Sequence, residues 1–161
     1  MHSFQDRILP LVEKQALIEP TPENLRDVSL CVALASGWKF EELPVLKCYA
    51  LIAPNEEHVH YVQSGDLDVV GREFLAKGVI PAYAVELGAI YQVVTASFLQ
   101  FSINLIQNRD AETMVAILAE FDHVDRLYRP TISRGAAAPT HPALALSLAY
   151  LHNLMERASH V

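Results

Sequence analysis

The run from Pro81 to Asn108 contains a single charged side chain, Glu86, and this scarcity constrains the fold more than any other feature of the chain. A water-facing helix of such length normally carries several Lys or Glu residues on its outer face. Gly78-Val79-Ile80-Pro81 reads as the opening of a helix that continues to Asn108 with protein or membrane on most sides. On a helical wheel, Tyr83, Leu87, Tyr91, Val94, Phe98, Phe101, Leu105 and Ile106 gather on one broad apolar arc that faces a core. The other arc carries Glu86, Ala89, Val93, Ala96, Ser97, Gln100, Asn104 and Gln107, small or uncharged polar groups near three-and-four spacing.

Three readings of that second arc compete. Leu87 to Ile106 offers about twenty residues without charge, the length of a bilayer span. Against a membrane span stand Gln92, Gln100 and Asn104, each of which needs a partner in hydrocarbon, and flanks without a Lys/Arg bias. The second reading is a central helix of a monomeric bundle, covered on both arcs. The third, which we favour, packs Ala89, Val93, Ala96, Ser97, Gln100, Asn104 and Gln107 against a second copy, because Ala and Ser allow close approach while Gln and Asn hydrogen-bond across a twofold. The expected assembly is a homodimer or another homo-oligomer.

The remaining segments also read as helices. Thr21-Pro22-Glu23 supplies an N-cap, a proline in the first turn and an acid, and Leu25, Val28, Val32 and Ala35 repeat at helical spacing until Gly37. Ser3 to Glu19 is amphipathic, with Pro10 as a kink or a fresh start. Asp66 caps a run through Leu67, Val70, Phe74 and Leu75 that stops at Gly78. Asp110 starts a run to Tyr128 whose Met114, Ile117, Leu118, Phe121, Val124 and Tyr128 form one stripe, with Asp122–Arg126 and Asp125–Arg129 as surface pairs. Arg129-Pro130 through Pro139 reads as a loop, and Thr140-His141-Pro142 opens a last helix, apolar nearly all round to Met155 and therefore buried. Between Trp38 and Gln63 the pattern is ambiguous. Val45 to Ile52 fits a short helix begun by Pro44, which we favour, or one arm of a β-hairpin near 45–63 returning through His58 to Val62. The expected architecture is all-α, a single-domain bundle of about six helices over residues 1–161, with the Pro81–Asn108 helix at its centre and the Pro142 helix as its nearest partner.

Candidate chemistry is sparse. Glu57 with His60 and Glu120 with His123 form two Glu-x-x-His patterns, and Glu86 lies between them. Carboxylate-bridged di-iron bundles combine two such patterns with two further acids, Glu86 and Glu23 here, because carboxylates and imidazoles together complete two adjacent metal shells. Geometry argues against an iron site: Glu120 and His123 point away from their own apolar stripe, Glu23 occupies a helix start, and Glu57 follows a Pro-Asn break. Glu86 reads as an exposed acid near the positive end of its helix. His58 and His60 share a face on a strand alone, and His152, inside the last helix, reads as a core histidine with haem ligation as the alternative. Tyr83, Tyr91 and Phe98 are candidates for lining an apolar ligand pocket. No GxSxG elbow, P-loop or GxGxxG is present, so no catalytic residue is assigned and the chain reads as an enzyme less readily than as a binding protein.

Composition narrows the partners. A net charge of −7 with twelve scattered basic residues excludes a nucleic-acid footprint. A hydrophobic fraction of 52% implies a large core or apolar surface shared with a partner. Met1 to Arg7 has no basic segment leading into an apolar run, and Cys31 and Cys48 sit apart among aliphatic residues as reduced core cysteines. The function that follows is a non-catalytic, acidic, cytoplasmic protein that self-associates and binds another protein, as an adaptor, immunity protein or regulator, without a cofactor. A metal or haem protein and a small-molecule sensor are the alternatives.

Overall fold

The computed structural model describes residues 2–56, 59–110, 112–124, 127–137 and 140–159. Its elements run α1 (Ser3–Glu13), α2 (Pro22–Ala35), β1 (Lys39–Leu43), β2 (Cys48–Ile52), β3 (Val59–Val62), α3 (Leu67–Ala76), α4 (Leu87–Ser97), β4 (Phe101–Asn108), β5 (Thr113–Val124), β6 (Leu127–Ala137) and α5 (Pro142–Ser159). Five helices accompany two three-stranded antiparallel sheets, ordered β1-β2-β3 and β4-β5-β6, among the described residues. The chain is therefore α+β, and the all-α bundle is overturned.

The helices that survive are those with local start signals. The Thr21 hydroxyl accepts a hydrogen bond from the Asn24 N–H at 3.2 Å, and Pro22 begins α2 as its sequence position predicts. Asp66 caps α3 through its carboxylate and the Asp68 N–H at 2.9 Å, and Gly78 follows that helix at φ +74°. In α1, Phe4, Ile8 and Val12 bury one stripe while Pro10 stays exposed. The helix stops at Glu13, six residues before the expected Glu19, and Gln15 turns the chain at φ +50°.

Between Trp38 and Gln63 the chain forms the hairpin and not the short helix. Tyr49 pairs with Val62 and Ile52 with Val59, while β1 adds on the other side with Phe40 opposite Leu51. Cys48, Ala50 and Leu51 are buried and Tyr49 and Ile52 half-buried, so this middle strand is covered on both faces.

The largest correction concerns the central run. It opens with the turns of Ile80 to Glu86, becomes helical at Leu87, leaves the helix at Phe98 (φ −127°, ψ +132°) and continues as β4. Tertiary contacts end the helix where no glycine or proline does. Phe98 is buried against Tyr150, with ring centroids 6.1 Å apart, and the Ser97 hydroxyl donates to the Val93 carbonyl while meeting the Tyr150 hydroxyl. After that, Phe101, Ile103 and Leu105 alternate with Ser102 and Asn104, which suits a strand with one covered face.

The helix expected from Asp110 to Tyr128 is replaced by the middle strand β5 and the first residues of β6, and the expected loop from Arg129 to Pro139 is largely β6. Met114, Ala116 and Leu118 are buried while Val115 and Ile117 are half-buried, again a period of two. Asp122 sits opposite Arg129 in the backbone register of the β5–β6 ladder; the pairings through Asp125 and Arg126 lie outside the described residues. Pro130 is accommodated because β6 is an edge strand.

The last helix forms as expected, and every residue from Ala143 to Asn153 is buried. It packs on β5 and β6 and also meets α1, α2 and α4, which makes α5, rather than the Pro81–Asn108 run, the central helix.

Candidate functional site

The charge-free stretch from Leu87 to Asn108 crosses from α4 into β4, and the surface these two elements present is the candidate site. Its position is set by the segment before α4. The Ser29 hydroxyl donates to the Leu25 carbonyl and accepts from the Ala84 N–H at 3.0 Å; the Ser147 hydroxyl donates to the Tyr83 carbonyl at 3.1 Å; the Trp38 indole N–H donates to the Tyr83 hydroxyl at 3.1 Å. These buried bonds tie Tyr83 and Ala84 to α2, α5 and the start of the first sheet, and α4 begins three residues later. Glu86 is the exposed N-cap of α4, where the positive end of the helix dipole favours an acid.

Two grooves flank α4. One, of about 210 Å³, has Ser36, Pro54, Tyr83, Ala89, Val93 and Ala96 along its walls. The other is larger and apolar, about 520 Å³ between the first half of α4 and the free edge of β4, lined by Leu87, Gly88, Tyr91, Ile103, Leu105 and Leu146. Beneath it runs a ladder of rings: Tyr91 meets Phe101 edge-on at 6.4 Å, Phe101 meets Phe98 at 6.4 Å, and Phe98 meets Tyr150. In the groove wall Tyr91 is 50% exposed and Leu105 is exposed as well, while Ile106, also 50% exposed, points to the opposite face of β4 and Leu99 stands wholly exposed in the bend before the strand.

This geometry divides the residues read from the sequence. Of the expected interface, Ala89, Val93, Ala96 and Ser97 lie on α4 along the smaller groove, whereas Gln100 falls in the turn and Asn104 and Gln107 lie on β4. Asn104 and Gln107 also face opposite sides of their strand, because side chains alternate. The stripe is thus not one helix face. Of the expected ligand pocket, Tyr83 borders the smaller groove, Tyr91 the larger one, and Phe98 is core. Of the expected metal ligands, His60 stands on β3 with its ring 5.5 Å from Phe74, Glu86 caps α4, Glu120 and His123 lie on β5, and Glu57 lies outside the described residues. Glu120 forms a two-pronged ion pair with Arg157, whose Nε reaches Glu120 Oε2 at 2.8 Å, and the guanidinium lies 4.8 Å above the Phe98 ring. No three His, Cys, Asp or Glu side chains converge to hold a metal among the described residues.

Sequence reading missed several groups that build the site. Tyr150 supplies both a ring and a hydroxyl beneath α4, and burial raises its pKa, partly offset by the hydrogen bond with Ser97. Partial burial lowers the pKa of Arg157. A buried carboxylate, Asp27, joins α1 to α2 by accepting from Arg7 and, at 3.0 Å, from Arg26 Nε, while Arg7 also reaches Glu23 at 2.8 Å. Beside Asp27's helix face, burial and then the Asp27 charge push the Cys31 thiol up to about 12. Cys31 and Cys48 are both free and buried, as their apolar neighbours suggested.

No helix is long and apolar enough to cross a membrane among the described residues. Comparison with known proteins found no matching family model, no matching curated protein and no matching solved structure.

Proposed function

We propose that this chain is a non-catalytic, self-associating cytoplasmic protein, an adaptor, immunity or regulatory module, that acts through the surface shared by α4 and β4. One observation carries the reading: exposed apolar side chains concentrate where charge is absent. Leu87, Tyr91, Leu99, Leu105 and Ile106 are all exposed within a stretch of sequence that has no ionised side chain. On an acidic protein an apolar patch of that kind marks a contact surface. The larger groove beside it is continuous with the free edge of β4, so a partner can bury side chains and complete backbone hydrogen bonds together.

Sedimentation velocity across a wide concentration series tests this. Self-association predicts a sedimentation coefficient that rises with concentration or stays at a dimer's value. A monomer at every concentration overturns the reading.

A further inference from the structure

Among the described residues four strands lie at sheet edges, and three of them carry the usual protection against pairing with another chain. β1 bears Lys39, Glu41 and Glu42 within its five residues; β3 is four residues long; β6 contains Arg129, Pro130 and Arg134. Charges, prolines and shortness are the devices by which edge strands avoid pairing. β4 has none of them. It is eight residues long, Phe-Ser-Ile-Asn-Leu-Ile-Gln-Asn, without charge, proline or glycine, and it is exposed from Asn104 to Asn108.

We propose that β4 pairs antiparallel with β4 of a second copy about a twofold axis at Asn104, joining two three-stranded sheets into one of six strands. This deepens the self-association reading and rests on it. Charge selects the occupant. Two chains of net charge −7 repel unless they meet where acids are missing, and β4 brings an uncharged strand to an uncharged strand. A basic partner would instead seek the acids on other surfaces.

The register follows from the faces. An axis normal to the sheet keeps each face on its own side, so a residue must oppose another of the same alternation, and the axis must pass through a residue. Centred on Asn104, the pairing sets Ile103 opposite Leu105 twice, Ser102 opposite Ile106 and Phe101 opposite Gln107. Ile103 and Leu105 line the large groove, so all four of these aliphatic side chains meet on the groove side and each copy closes the other's groove. On the opposite face Asn104 meets its own copy, where each amide donates and accepts. Centred on Leu105 instead, Ile103 would face Gln107 and a single Leu105–Leu105 contact would replace the two Ile103–Leu105 contacts, whereas centred on Ile103 the paired stretch would shrink to residues 101–105 and leave the exposed residues 106–108 without a partner strand.

Cross-linking tests the register. Directly opposed residues of an antiparallel pair have Cα atoms about 4.5–5.5 Å apart, within the span of a disulfide. Asn104→Cys is therefore expected to give a covalent dimer under mild oxidation, while Leu99→Cys, roughly 30 Å from its copy by strand geometry, is not. The native Cys31 and Cys48 are buried and leave the wild type uncross-linked. Asn104→Asp sets two carboxylates face to face at an exposed position and is expected to weaken association by about tenfold or more. A dimer that neither cross-links at position 104 nor responds to Asn104→Asp overturns edge pairing while self-association stands. A monomeric wild type overturns both.

Discussion

Cys31 shows how one buried atom ties stability to pH. Its thiol is held neutral by apolar surroundings and by the charge of Asp27 one helical turn away, with a pKa raised from 9.0 to about 12. Below pH 9 the folded and unfolded chains carry the same proton there, and the fold keeps the full benefit. Above it the unfolded chain loses its proton first, so stability falls as pH rises from about 9 towards 12, by up to about 1.4 kcal/mol per pH unit. Burial raises the Tyr150 pKa too, which adds to the loss in the same direction at higher pH. Replacing Cys31 with Ala is expected to remove the first component, and urea midpoints measured between about pH 8 and pH 10 report it as a shallower decline than in the wild type. An equal decline in both proteins would mean that Cys31 is not the group responsible. The same microenvironment makes the thiol a poor nucleophile, since the thiolate is the reactive form.

At the scale of elements, the docking of α5 on the second sheet depends on the absence of a side chain. A Cβ built on Gly135 of β6 would lie 2.1 Å from the Ala145 carbonyl oxygen and 2.5 Å from the Ala149 nitrogen, backbone atoms of a helix enclosed on all sides. Ala116 and Ala137 continue this small-residue floor with no exposure at all. Gly135→Ala is expected to destabilise the protein by about 3 kcal/mol or more, since overpacking against backbone has no rotamer by which to relieve it; a fall in the urea midpoint well beyond that of an exposed control, Gly88→Ala, would be the readout. The Gly-Ala-rich segment that reads as a loop in sequence is thus a strand chosen for close approach. The error has the same physical origin elsewhere. Helix starts were legible at Thr21 and Asp66 because capping is local, and the burial of α5 was legible because it is apolar on every face. β5 was not: with Met114, Ala116 and Leu118 on one face and Val115 and Ile117 on the other, its pattern satisfies helical and strand periods alike, and tertiary pairing decides. The break at Phe98 was equally invisible, since its cause, Tyr150, lies 52 residues further along the chain. Of the candidate site, the uncharged character was readable, whereas the division between helix and edge strand was not.

For the whole molecule, the distribution of charge makes a distinctive demand on assembly. Nineteen acids against twelve bases leave every copy at −7, so association brings two like-charged bodies together while the contact itself contributes no ion pairs. Salt then acts on the repulsion alone. The Debye length shrinks from about 30 Å at 0.01 M to about 8 Å at physiological ionic strength, which removes most of the long-range opposition between two such chains. The expected outcome is a dissociation constant that falls severalfold as sodium chloride rises through this range, most of the change appearing in the association rate, because screening alters the approach more than the uncharged contact. An interface built on ion pairs, for instance one using the Lys39–Glu56 or Lys77–Glu73 surfaces, would weaken with salt instead. Lowering the pH towards the isoelectric point near 5.4 is expected to act like salt, by neutralising the repulsion at its source. Light scattering of the wild type across both series separates the two pictures by sign: strengthening under both conditions fits contact through α4 and β4, and weakening with salt would place the contact on a charged surface.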